Sequence, residues 1–164
     1  MAALEAHYRV LLLWNRKMNL TTVTRLEEAA IRHYCESLFV GLYVQGGAVV
    51  DIGTGPGFPG IPLAIARPAC SVDLVEAHQR KAVFLREAAR GLGNVRVQAA
   101  RAESVRGSFD WLVSRAVDPR DLMKLRIARR FALLIGAEDA SVVPAEELVP
   151  LPWGDRRVLA LGSF

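Results

Sequence analysis

The 164-residue sequence predicts an α/β fold, a doubly wound and mostly parallel sheet entered through N-terminal helices. Three observations predict it. The apolar run Ala48-Val49-Val50 ends in Asp51, and glycines follow at alternate positions 53, 55 and 57. Before Gly47 the apolar residues recur at helical spacing. After Gly47, strand-like runs and helical stretches alternate, the signature of βαβ units.

The elements follow in order. Leu4, Tyr8, Leu11 and Leu12 lie at i, i+4, i+7 and i+8, so residues 3–15 read as an amphipathic helix. Two asparagines, Asn15 and Asn19, are expected to break it. Thr24-Arg-Leu-Glu27 has the form of a capping box opening a second helix over 25–41; His33 on that helix reads as a structural histidine. Then come strand 48–52, helix 59–66, strand 71–75, helix 78–91 and strand 94–98. Pro59 and Pro62 suit a first helical turn, where a missing N–H costs nothing. Gly91 and Gly93 end the second of these helices. Phe109–Val113 reads as a fourth strand, followed by a helix from about Asp118, and Arg130–Ile135 as a fifth. Ser141-Val-Val and Arg157–Leu161 supply two more, with an antiparallel edge at the end. The expected organisation is one domain over 1–164, with a helical cap at 1–45 and an α/β core at 46–164.

The glycine loop fits two templates. Gly55-Pro-Gly57-Phe-Pro-Gly60 satisfies the dinucleotide pattern G-x-G-x-x-G. Asp51-Ile-Gly53-Thr-Gly55-Pro-Gly57 satisfies the D-x-G-x-G-x-G loop of S-adenosylmethionine (SAM) methyltransferases. The second puts the first glycine directly after the strand and gives Asp51 a task, steering a ligand's cationic amine directly or through water. Glu76 ends the second strand, where a βαβ nucleotide fold accepts hydrogen bonds from ribose hydroxyls. Both templates require Glu76, so it supports the fold without choosing the ligand.

Charge points to the partner. Net charge is +4, and the sequence pI is about 9.5. Residues 67–130 hold 14 Lys/Arg against 7 Asp/Glu, whereas 131–164 hold 2 against 5. A basic middle suits a polyanionic partner, because Lys and Arg gain by releasing counterions from phosphates. The apolar run Val10–Trp14 is closed by Asn15-Arg16-Lys17, too short to span a membrane. No signal peptide is evident, so the cytoplasm is the expected compartment. Cys35 and Cys70 lack metal-like spacing and read as reduced packing residues; no metal is expected.

Three local features carry a family resemblance: Trp14-Asn15 with Asn19-Leu20, the run from Asp51 through Gly57-Phe-Pro-Gly-Ile-Pro-Leu63, and Ser114-Arg115-Ala116. From about Leu11 to Gly136 the chain resembles the RsmG (GidB) family of bacterial 16S rRNA guanine-N7 methyltransferases. Arg32-His33 with Glu36-Ser37-Leu38 fits too, although the family usually has Asp at position 36. The resemblance implies SAM as cofactor and 16S rRNA or the small ribosomal subunit as partner. It makes Gly53 and Phe58 loop positions lining the cofactor site and Glu76 the acid at the end of strand two. It makes Ala102 and Glu103 the pair beside the adenine, and Arg115 the arginine at the mouth of the pocket. With Asp51, Gly55 and Gly57 from the loop pattern, these are the candidate cofactor-binding residues. No catalytic base is expected, since guanine N7 carries no proton to remove. Family members are usually longer at both ends, so this is expected to be a shortened member. Ile135 stands where the family commonly has Lys before Gly136. Two other readings remain open on the residues: a SAM-binding homologue with altered or lost RNA methylation, and an NAD-dependent oxidoreductase.

Overall fold

A computed structural model describes residues 1–153 and 156–164. Seven strands form a single sheet: β1 (Gly47–Ile52), β2 (Cys70–Val75), β3 (Val95–Gln98), β4 (Phe109–Arg115), β5 (Ala128–Gly136), β6 (Glu147–Pro150) and β7 (Arg157–Ser163). Their order is β3-β2-β1-β4-β5-β7-β6. The first five run parallel, and β7 lies antiparallel between β5 and β6. The sixth strand is not where the sequence suggested. Ser141 and Val142 belong to a 3₁₀ segment, Ala137–Val142, and Glu147–Pro150 supplies the edge instead.

Side-chain alternation divides the core into two layers. Val49, Trp111, Val113, Ala132 and Leu159 face one side with Phe58, Leu63, Phe84 and Leu11. Val50, Ile52, Leu112, Leu133 and Ala160 face the other with Leu122 and Val143. Helices α4 (Gly60–Ala66) and α5 (Gln79–Ala88) cover the first face, and α6 (Pro119–Leu125) covers the second. Asp118 caps α6, accepting from the Arg120 N–H at 2.8 Å. Because the chain leaves β1 and β4 toward opposite faces, a crevice opens between their C-terminal ends.

The N-terminal helices add to the first face. Helix α1 runs Ala2–Met18, longer than its apolar spacing implied. Asn15 does not break it; its side chain reaches forward to bond both the N–H and the carbonyl of Thr21 (2.9 and 3.0 Å). Asn19 ends the helix in a left-handed conformation, which asparagine tolerates. The second helix comprises α2 (Leu26–Ala29), a π-helical stretch (Ala30–Cys35) and α3 (Glu36–Tyr43). The capping box does not form: Arg25 is the N-cap, with no side-chain capping bond. The Thr24 carbonyl instead accepts from the Tyr8 hydroxyl at 2.7 Å, tying this segment to α1.

Candidate active site

The glycine loop is held from below by Asp51. The last two β1 residues carry Asp51 into the first-face core, where it has no solvent exposure. Its Oδ2 accepts from the Thr54 hydroxyl at 2.6 Å and from the Gly60 N–H at 2.8 Å, clamping both ends of the loop. Its Oδ1 is buried and finds no hydrogen-bond partner among the described residues. Burial raises the carboxyl pKa to about 7, against the pull of those two donors. A Cβ on Gly60 would stand 2.6 Å from Asp51 Oδ2, so only glycine lets the helix start approach the clamp.

Gly53 sits on the exposed side of the loop with φ 66°. It borders a cavity of about 320 Å³ across the ends of β1, β2 and β3. Ile52, Val75, Ala100, Ala102 and Val117 give this β1–β2 cavity apolar walls, Glu76 and Glu103 add carboxylates, and Arg101 adds one guanidinium. Glu76 is tied to the loop, its Oε2 accepting from the Gly55 N–H at 3.2 Å and its Oε1 from the His78 N–H at 2.8 Å. Ala102 and Glu103 stand on a 3₁₀ turn, Ala102–Ser104, after β3. Thus Gly53, Glu76, Ala102 and Glu103 share one cavity, with Gly55 joined to it through Glu76.

The remaining candidates lie elsewhere. Asp51 and Phe58 are behind the loop rather than on its open side. The Phe58 ring is 1% exposed and lies stacked under His33, with centroids 4.5 Å apart; His7 and Tyr34 meet it edge-on. Gly57 packs against Ile61, with φ 95°. Arg115 ends β4 and, by strand alternation, shares a face with Trp111 and Val113. It therefore points into the N-terminal helices. Its Nη2 donates to His33 Nδ1 at 3.2 Å, and its guanidinium lies 5.2 Å from the Phe58 ring centre.

That arrangement adds Arg157, which the sequence did not single out, and gives Glu36 a buried charge role. Buried Glu36 receives Arg115 at 3.5 Å and Arg157, the first residue of β7, at 3.2 Å on the same Oε2. Arg115, Arg157, Arg32, His33 and Thr21 line a second cavity of about 470 Å³, the cap cavity. A third, of about 650 Å³, lies beyond β4 and β5 between Val117, Pro119, Leu134 and Ile135. This β4–β5 cavity shares Val117 with the β1–β2 cavity and Ala116 and Arg157 with the cap cavity. Ile135 adds no charge there, but Arg157 is the cross-strand partner of adjacent Gly136. The available signal for Arg157 was its setting, since Arg156 and Arg157 are the sole cations after residue 130.

Both histidines in this region are neutral. Burial, and for His33 also Arg115, lowers each pKa to about 4. His7 Nε2 donates to the Pro56 carbonyl at 3.1 Å, and its Nδ1 accepts from Tyr34 at 3.0 Å. His33 Nε2 faces the Thr21 hydroxyl at 3.0 Å. His33 therefore keeps the structural role read for it while forming part of a cavity wall.

The family model for rRNA small subunit methyltransferase G matches residues 1–130. The chain belongs to that family. The ribosomal RNA small subunit methyltransferase G of Xanthomonas campestris pv. campestris is 41% identical over 162 residues, covering 94% of this chain and 76% of the relative. That of Stenotrophomonas maltophilia is 41% identical over 157 residues, covering 90% and 73%. Among solved structures, a SAM-dependent methyltransferase from Aquifex aeolicus superposes with TM-score 0.65 at 13% identity, covering 81% of this chain and 92% of the other. A SAM-dependent O-methyltransferase from Thermotoga maritima does so with TM-score 0.59 at 16% identity, covering 92% and 69%. These two share the Rossmann-like methyltransferase fold. Family membership selects the D-x-G-x-G-x-G reading of the loop over the dinucleotide one. No described helix is long and apolar enough to cross a membrane. Among the described residues no three His, Cys, Asp or Glu come together in a metal-binding group.

Proposed function

We propose that this protein transfers a methyl group from SAM to N7 of a guanine in 16S rRNA, acting in the cytoplasm on the small ribosomal subunit. One observation carries the reading. In a member of this family, the Asp51-clamped glycine loop is hydrogen-bonded to Glu76 above a cavity with apolar walls. The donor set fits the cofactor. Each Glu76 oxygen engages one backbone N–H and keeps lone-pair capacity for vicinal ribose hydroxyls. The walls from Ile52, Val75, Ala102 and Val117 suit a flat purine, with Glu103 at its edge. When bound, SAM supplies an electrophilic methyl on a sulfonium centre.

The residues of the chain then act by position. Gly53 leaves its side of the loop open for close approach, and Glu76 would hold the ribose hydroxyls of the bound cofactor. Asp51, lacking solvent contact, sets loop shape rather than touching the ligand. Guanine N7 presents a lone pair on the major-groove edge and no proton, so alignment in place of a general base supplies the rate. The β4–β5 cavity is the acceptor side, because Val117 lines both it and the cofactor side.

The test is methyl transfer from radiolabelled SAM to unmodified small ribosomal subunits, with nucleoside identification. Label in 7-methylguanosine is the expected result. Label in another nucleoside changes the acceptor, and SAM binding without transfer assigns the chain to a non-catalytic branch.

A further inference from the structure

The cap cavity carries charge that the cofactor does not use. Its wall holds Arg32, Arg115 and Arg157 and, among the described residues, no Asp or Glu; Arg32 is already paired with Glu28 at 3.5 Å, so the surplus lies on Arg115 and Arg157. Behind the wall, one buried carboxylate, Glu36, faces two guanidiniums. Arg115 and Arg157 are only 12% and 28% exposed, so solvent screens little of the surplus. His33 adds no charge, being held neutral. Two poorly hydrated cations on one anion are costly unless a second anion completes the set. Guanidinium forks match phosphate oxygens in bidentate geometry.

Location decides whose anion it is. The cap cavity shares Ala116 and Arg157 with the β4–β5 cavity and no lining residue with the β1–β2 cavity. It therefore adjoins the acceptor side. We infer that the cap cavity holds a backbone phosphate of the RNA strand next to the target guanine, with Arg157 as its principal ligand. This rests on the methyltransferase reading above and adds the device that registers the strand. It also gives the N-terminal helices a part in substrate binding, since Arg32 and Glu36 come from them.

The test compares the unaltered protein with Arg157→Gln and Arg157→Lys. SAM affinity is measured by calorimetry, and KM for unmodified small ribosomal subunits is measured across a potassium chloride series. Arg157→Gln is expected to raise KM about tenfold and to flatten the log–log salt dependence by roughly 0.7–0.9, with SAM affinity unchanged. Arg157→Lys keeps the charge but not the fork, so it restores the salt slope and only part of KM. A brace that merely holds Glu36 would leave the slope unaltered in both variants, and that result overturns the inference. Weaker SAM binding with unchanged KM overturns it too, assigning the anion to the carboxylate of the cofactor's methionine. Should Arg157→Gln fail to unfold cooperatively, Arg32→Gln at the open edge of the same cavity is judged by the same slope. Absence of transfer by the unaltered protein overturns the methyltransferase reading and this inference with it. Transfer with an unaltered slope overturns the inference alone.

Discussion

The β1–β2 cavity and the cap cavity abut the same glycine loop and differ in the sign of their net charge. The first touches the loop at Gly53 and presents Glu76 and Glu103, with Arg101 beside them, between apolar walls. The second meets it through Arg115 and His33, both packed on Phe58, and presents three arginines. The acidic cavity suits a ligand with hydroxyls and a cationic centre; the basic one suits a polyanion. Side-chain alternation sends Arg115 away from the β1–β2 cavity, so the two linings stand next to each other without cancelling. A Rossmann-like sheet end thus presents two differently lined cavities beside one loop.

Four changes would break or sharpen this contrast. The largest effect is expected from Gly53→Val. At φ 66° a Cβ would stand 2.4 Å from Val117 Cγ2, so SAM affinity should drop roughly a hundredfold while circular dichroism stays native. Retained SAM affinity would mean the cofactor lies elsewhere. Glu76→Gln comes next, with SAM affinity falling about thirtyfold and KM for ribosomal subunits unchanged; an equal effect on both ligands would refute the separation of the cavities. Arg157→Gln is the mirror experiment, about tenfold on KM and nothing on SAM.

The smallest effect concerns pH. The folded-state pKa of Asp51 is raised from 3.8 to about 7, so the folded protein holds the extra proton between those values. Its contribution to stability therefore falls as pH rises from about 4 to 7. His7 and His33, lowered from 6.5 to about 4, act the other way, and their stabilisation is lost as pH falls through that window. Asp51→Asn removes only the first of these. The urea midpoint of the unaltered protein relative to the variant should be higher at pH 4.5 than at pH 7.5. A constant difference would show that Asp51 ionises normally and that its clamp is not desolvated.

The glycine loop, Glu76 and the alternation of strands and helices were legible in the sequence because each rests on local chemistry. Glycine permits positive φ, a carboxylate ends a strand, and apolar spacing distinguishes helix from strand. The misreadings share one cause. Asn15 looked like a helix breaker and Thr24 like a cap, yet both took partners supplied by the fold, the first at Thr21 and the second at Tyr8. Phe58 is a loop residue by position and a core residue by packing.

What the sequence determined by itself is the nucleotide-binding frame and, through the family's motif residues, the chemistry it serves. Tertiary structure alone decided that Asp51 clamps the loop from a buried position, that Arg115 points toward the helical cap, and that Arg157 joins it on Glu36 although 41 residues separate the two arginines. The physical reason is that a buried charge is defined by its partners, and those partners come from β4, β7 and an N-terminal helix that no local pattern connects.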